Sequence, residues 1–289
     1  MGSRRTDSLR ELLERVYRRY NRSACIGSDP LQYAYRFSDA RDMEIAAFLA
    51  AALAYGRVQQ IHRSLDRLFS LIGPSPYEFT AGFSASSRRK LAGFKHRFTT
   101  GRDIADLLEL LSGVLSRHGS LRSFFISGYD AQDETVLPAL TRFCDVLGTE
   151  YADTHGGRLS RGLMYLLANP RRGSASKRLH LFLRWMVRDD DVDPGLWTGI
   201  DKAKLIVPVD VHMGRLCQIL GLHESRTISL ATAVKITAAF AKIEPADPVK
   251  YDFALSRIGI VENCNGRYRA ECEACELFGV CVQKEHWTK

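Results

Sequence analysis

What this 289-residue sequence lacks narrows its identity first. No apolar run reaches the roughly 20 residues that a membrane helix needs. The longest, from about Ile45 to Tyr55, is short and rich in alanine. The segment MGSRRTDSLRELLERV has no apolar core, so no secretory signal is expected. No stretch longer than a few residues alternates with period two, which argues against a fold built on sheet. Low-complexity tracts and long linkers are missing too. These absences predict a cytoplasmic protein without a membrane partner. In a reducing compartment its thiols are not expected to pair as disulfides.

What is present reads as helix after helix. The chain is 45% hydrophobic and 26% charged, enough to bury a real core. Leu9, Leu12, Leu13, Val16 and Tyr17 fall on one face of a helix predicted over 7–20. Residues 42–55 are apolar nearly all round, the pattern of a central buried helix, which Gly56 is expected to end. Further helices are predicted over 57–71, 103–117, 133–147, 159–168, 177–188, 211–220, 229–242 and 247–258. Two similar segments, YRFSDARD at 35–42 and HRFTTGRD at 96–103, each read as a helix entry. The predicted fold class is all-α.

The chain carries 41 basic and 33 acidic residues, a net charge of +8 that favours a polyanionic partner. Basic residues gather at 4–22, 88–97 and 171–178. In the last group Arg171, Arg172, Lys177 and Arg178 have no acid among them and sit where a loop enters a helix. Free backbone N–H groups and added positive charge make such a place a phosphate site. A solvated loop is the alternative. The acidic run Asp189, Asp190, Asp191 and Asp193 reads as a solvated loop ahead of Pro194, and Trp185 as core.

Four of the seven cysteines follow the pattern Cys264-x7-Cys272-x2-Cys275-x5-Cys281. Thiolates two residues apart point to one centre from a tight turn, and the outer two close a four-sulfur shell. A tetrahedral zinc ion or a cubic [4Fe–4S] cluster accepts that shell. Zinc ribbons usually pair two short knuckles, whereas this sequence has one, so the cluster is the first expectation and zinc the alternative. Cys25, Cys144 and Cys217 read as ordinary buried thiols.

A helical chain with this loop resembles endonuclease III and its relatives, the helix-hairpin-helix Gly/Pro-Asp DNA glycosylases. Their cluster pattern has a first gap of six, one shorter than here. The segment VPVDVH at 207–212 matches the family signature, with Asp210 on its aspartate and His212 on its histidine. GSASK at 173–177 lies where the family has a Gly-x-Gly-x-Lys hairpin. Gly173 and Lys177 match. Ala175 replaces the second glycine, and the preceding Leu-Pro-Gly is not recognisable. The long segment from Lys177 to Asp210 is similar to that of archaeal 8-oxoguanine glycosylases and of a mostly bacterial branch of the superfamily.

The resemblance implies two helical domains, 40–200 and 1–39 plus 201–289, with a cleft between them and a degenerate hairpin. It implies a monomer that acts in base excision repair on damaged duplex DNA, with an oxidised base as the expected target. Lys177 would be the Schiff-base nucleophile of a glycosylase with AP-lyase activity, and Asp210 the carboxylate beside it. Arg171, Arg172, Gly173, Ser174, Ser176, Arg178 and His212 would contact DNA. So would Arg267 and Arg269, in a loop that the cluster braces. Tyr55, Arg57 and Gln59 would line the base pocket or fill the gap left in the duplex. The rival expectation is a non-catalytic nucleic-acid-binding iron–sulfur protein of the same fold.

Overall fold

The computed structural model describes residues 3–261, 264 and 269–281. Among them are thirteen α-helices and one two-stranded hairpin, so the all-α class holds. Helix α1 is Ser3–Tyr20, and the chain then runs through 3-10 turns over Ser23–Ser28 and Pro30–Arg36. Helices α2 (Ala40–Ala52) and α3 (Val58–Ile72) follow, then α4 (Pro76–Ala81) and α5 (Ala85–Leu91). Strands β1 (Lys95–His96) and β2 (Thr99–Thr100) pair antiparallel ahead of α6 (Gly101–His118). The rest comprises α7 (Leu121–Ile126), α8 (Leu137–Thr154), α9 (Arg161–Leu167), α10 (Lys177–Val187), α11 (Val211–Ile219), α12 (Leu230–Ala241) and α13 (Asp252–Val261). No helix among the described residues is long and apolar enough to cross a membrane.

Helix α2 is central, as its composition predicts. Every residue from Glu44 to Ala52 is buried, and the helix packs on α10 and on the Pro30–Arg36 turn. Its one buried charge, Glu44, accepts hydrogen bonds from the backbone N–H of Leu121 (2.9 Å) and Arg122 (3.0 Å) and from Trp197 Nε1 (2.7 Å). A carboxylate inside an apolar helix is thereby satisfied by the first turn of α7. The helix ends at Ala52, ahead of the predicted stop at Gly56. The guanidinium of Arg178 donates to the Ala52 carbonyl there.

Both similar segments open helices, in register. Asp39 caps α2, and Thr100 caps α6 in a reciprocal capping box with Asp103. Gly101 is required by packing, because a Cβ there would lie 1.8 Å from the Leu91 carbonyl oxygen. Helices α4, α5 and α7 and the hairpin were not expected. Each has at most seven residues, too short to display a period. Helix α8 begins and ends later than predicted because Tyr151 is buried against Asp106 and draws the polar end into the helix.

The buried apolar side chains form one continuous cluster from Leu9 to Leu277, through both segments that the sequence assigns to separate domains. Helix α1 packs on α13. Trp185 is fully buried. The acidic run is a correction: Asp189 and Asp191 are exposed, but Asp193 is fully buried between Arg184 and Arg188. It is an internal counter-charge to two arginines on α10 and its C-cap, and not a solvated loop.

Candidate functional site

The loop before α10 uses unusual backbone. Ala168, Gly173 and Ser176 all have positive φ (31°, 74° and 46°), so the chain reverses sharply between α9 and α10. Gly173 takes this conformation without strain. Ser176 is held in it by two bonds: its hydroxyl donates to the Ala168 carbonyl, and its N–H donates to Ser174 Oγ. The Gly173 carbonyl accepts from Leu230 N–H (3.0 Å), which ties the loop to α12. This framework delivers Lys177 as the first residue of α10.

Asp210 arrives from the opposite side as the N-cap of α11. Its Oδ1 accepts from the N–H groups of His212 and Met213, both at 2.9 Å. Its Oδ2 is left to face Lys177 Nζ at 3.3 Å. The capping role and the charge-bearing role thus fall on different oxygens of one carboxylate. Burial alone would raise its pKa. The Lys177 ammonium, the Met213 N–H and neighbouring His212 outweigh that and hold it below the ordinary aspartate range.

Lys177 and Asp210 line a cavity of about 530 Å³. One wall is aromatic: Tyr55 and Tyr165 meet edge to face with ring centres 5.0 Å apart. The floor is charged. Arg184 bonds Asp252 and Asp193, with its Nη2 3.0 Å from Asp193 Oδ1. Arg257 bonds Asp29 (2.9 Å) and Ser28 Oγ (2.7 Å). Burial pushes the Asp252 carboxyl up, against the pull of Arg184.

The structure brings some expected residues to this cavity and removes others. Tyr55, Lys177, Arg178, Asp210 and His212 line it. Arg57 and Gln59 are exposed beside it, at the cap and first turn of α3. Arg171, Arg172, Gly173 and Ser174 are exposed on the loop, although Arg171 is committed to Asp145 and Arg172 leans on Met164. Arg178 and Ser176 are corrections. Arg178 is only 7% exposed, and its guanidinium donates to the carbonyls of Ala52 and Tyr165 while stacked on the Tyr165 ring at 4.1 Å. It ties α2 to α9 and meets the cavity as part of its wall, with its guanidinium already bonded to backbone. Ser176 is 2% exposed, with its hydroxyl already used. Tyr165, Asp29, Arg184, Asp252 and Arg257 were missed. They are scattered over the chain, and no local signal marks them.

Cys264, Cys272, Cys275 and Cys281 are all half-buried, and none forms a disulfide. Cys264 and Cys275 pack against the core, the Arg269 N–H donates toward Cys272 Sγ at 3.4 Å, and Arg19 pairs with Glu276 to fasten the loop to α1. Among the described residues, no three cysteine sulfurs lie within 4.8 Å of one another. The donor set itself, four thiols with an N–H aimed at one sulfur, is suited to a thiolate-bound group. Arg267 lies outside the described residues. Cys144 and Cys217 are buried, and burial pushes both thiols up.

Fold and site define an all-helical protein with a lysine–aspartate pair at the edge of a half-enclosed, aromatic-walled pocket. The chain belongs to the DUF2400 family of proteins of unknown function, whose model matches residues 29–261. That span holds every pocket-lining residue except Ser28 and stops short of the four cysteines. No curated protein and no solved structure matches the chain.

Proposed function

We propose that the protein is a DNA glycosylase of the helix-hairpin-helix Gly/Pro-Asp type with associated lyase activity, acting on a damaged base. The observation that carries this reading is the Lys177–Asp210 pair, 3.3 Å apart and brought by two different helices to the rim of one pocket. The cavity has the volume and the aromatic wall that an extruded base requires. The reversal of the chain before α10 supports a hairpin in which Ser176 takes the left-handed conformation without a glycine.

In the proposed reaction, Lys177 Nζ passes a proton to water and bonds through the freed electron pair to the sugar carbon. The glycosidic C–N bond breaks, and its electron pair leaves with the base. The new secondary ammonium loses a proton to water; the sugar ring then opens, its oxygen leaving with the C–O electron pair and taking a proton from water, and the resulting iminium permits strand cleavage by elimination. Asp210 is held too acidic to be a strong base. Its larger role is electrostatic: it stays anionic at neutral pH beside the carbon where positive charge develops. Cys264, Cys272, Cys275 and Cys281 would hold a [4Fe–4S] cluster as a structural brace for the C-terminal loop. Zinc is the lesser alternative.

Borohydride trapping on a panel of lesion-bearing duplexes tests the reading. Wild-type protein should give a covalent adduct and Lys177→Gln none. An adduct that survives in the variant, or no adduct with any lesion, overturns the assignment of Lys177. Broad visible absorption in anaerobically purified protein, bleached by a reductant and lost with Cys272→Ser, tests the cluster separately.

A further inference from the structure

The hairpin over Lys95–Thr100 exposes a large aromatic ring at its tip. Strand residues His96 and Thr99 pair across a two-residue turn made of Arg97 and Phe98. Phe98 is 54% exposed, more than any other aromatic side chain among the described residues. Exposing a phenyl ring forfeits favourable burial, so the position is not explained by folding. Arg97 adds a second anomaly. Its φ is 52°, at the first central position of the turn, where such hairpins favour glycine. A non-glycine residue in that conformation is strained, and strain of this kind gathers at functional sites.

Both residues touch side chains of the pocket wall without lining the cavity themselves. Phe98 stacks on Tyr55 with ring centres 5.1 Å apart and meets Tyr165 edge to face at 4.5 Å. The Arg97 side chain crosses Gly56 so closely that a Cβ there would lie 2.8 Å from Nη1. Gly56 itself has a φ of 101°, which only glycine adopts readily. The base of the hairpin is rigid: buried His96 bonds Ser64 Oγ (2.8 Å) and the Tyr55 carbonyl (3.0 Å), and the Tyr55 hydroxyl donates to Thr99 Oγ1 (2.6 Å). Lys95 and Arg97 are both exposed, and so are Arg89 and Lys90 on α5 just before the hairpin.

A rigid stalk that carries an exposed aromatic ring among cations has the chemistry of a nucleobase platform: the ring stacks on a base, and the cations hold the phosphates beside it. We infer that the Arg97–Phe98 tip binds an unstacked base of a nucleic acid strand beside the aromatic wall of the Lys177 pocket. The inference rests on the nucleic-acid reading proposed above, but it requires no catalysis. Its contact is sequence-tolerant, because every base offers a face to the ring.

The test uses the full chain and a single-stranded oligonucleotide carrying one 2-aminopurine, whose fluorescence is quenched by stacking. Wild-type protein should bind and change that fluorescence. Phe98→Ala should weaken binding roughly tenfold and abolish the change, and Phe98→Trp should restore both. Phe98 is exposed, so the variants should match wild type in circular dichroism. Three results overturn the inference: no binding by wild type, equal signal from Phe98→Ala, or equal weakening on a fully paired duplex. A protein that forms no trapped adduct yet loses its signal with Phe98→Ala keeps this inference and loses the enzymatic one.

Discussion

Two cations on the same helix face the same pocket and are held in opposite ways. Lys177 opens α10 at the mouth and Arg184 lies seven residues on, two turns deeper on the same face. Lys177 has one carboxylate partner, and the two side chains keep 29% and 39% of their surface. Arg184 has two, Asp193 and Asp252, and all three are nearly sealed from solvent. A pair in water contributes about 1 kcal/mol at most and exchanges readily with other partners. A buried pair that loses a member strands an uncompensated charge. The difference teaches how one helix serves two ends: the floor locks α10 in place, and the mouth keeps a cation within reach of solvent.

The sharpest way to break this comparison is to remove each cation in turn. Arg184→Ala strips buried Asp252 of its partner and leaves Asp193 with Arg188 alone, and should destabilise the fold by about 3–5 kcal/mol. Lys177→Ala should change stability by no more than about 1 kcal/mol. Urea unfolding at neutral pH reads both values. Similar losses for the two would mean that the mouth is structural and that Lys177 is not free for chemistry.

The second comparison separates the two oxygens of Asp210. Asn keeps an oxygen that can cap α11 but removes the charge facing Lys177. Asp210→Asn should therefore leave stability within about 1 kcal/mol of wild type while lowering the rate of adduct trapping roughly 100-fold. Asp210→Ala loses the cap as well and should unfold about 1 kcal/mol more easily than Asp210→Asn. Equal trapping by Asp210→Asn and wild type would reduce Asp210 to a helix cap.

The mouth of the site was legible in the sequence and the floor was not, for a physical reason. Lys177 and Asp210 each sit in a short segment where a loop becomes a helix, and that local chemistry is written in consecutive residues. Asp29, Asp252 and Arg257 reach the pocket only through the packing of the Pro30–Arg36 turn on α2 and of α13 on α11. Arg178 shows the limit from the other side. It shares a basic stretch with Lys177, but one residue around a helix is 100° of rotation, which turns it from the mouth into the protein. Asp193 was misread similarly, because a run of acids looks solvated until two arginines on one helix are seen to enclose it. The central helix α2 was recognisable because burial on all sides leaves no polar face to mistake. The 95–100 hairpin has only two residues per strand, too few to set up an alternation, so its exposed tip appeared only in the fold.

The smallest expected effect distinguishes the two carboxylates by pH. Asp210 is held below its unfolded value, near 3.9, chiefly by Lys177 once burial is overcome. Its ionised form therefore contributes stability that is fully present above that value and is lost as pH falls through the lower folded value. Asp252 is shifted upward by burial, so its contribution has the opposite sign and declines as pH rises through its folded value. Unfolding measured from neutral pH down to about 3 should give a constant difference between wild type and Asp210→Asn above about pH 5. The difference should stay below about 1 kcal/mol, because the pair is partly exposed, and should shrink on the acid side. A difference that grows toward acid would mean that Asp210 is raised and not lowered, that Lys177 does not hold it, and that mouth and floor obey the same electrostatics.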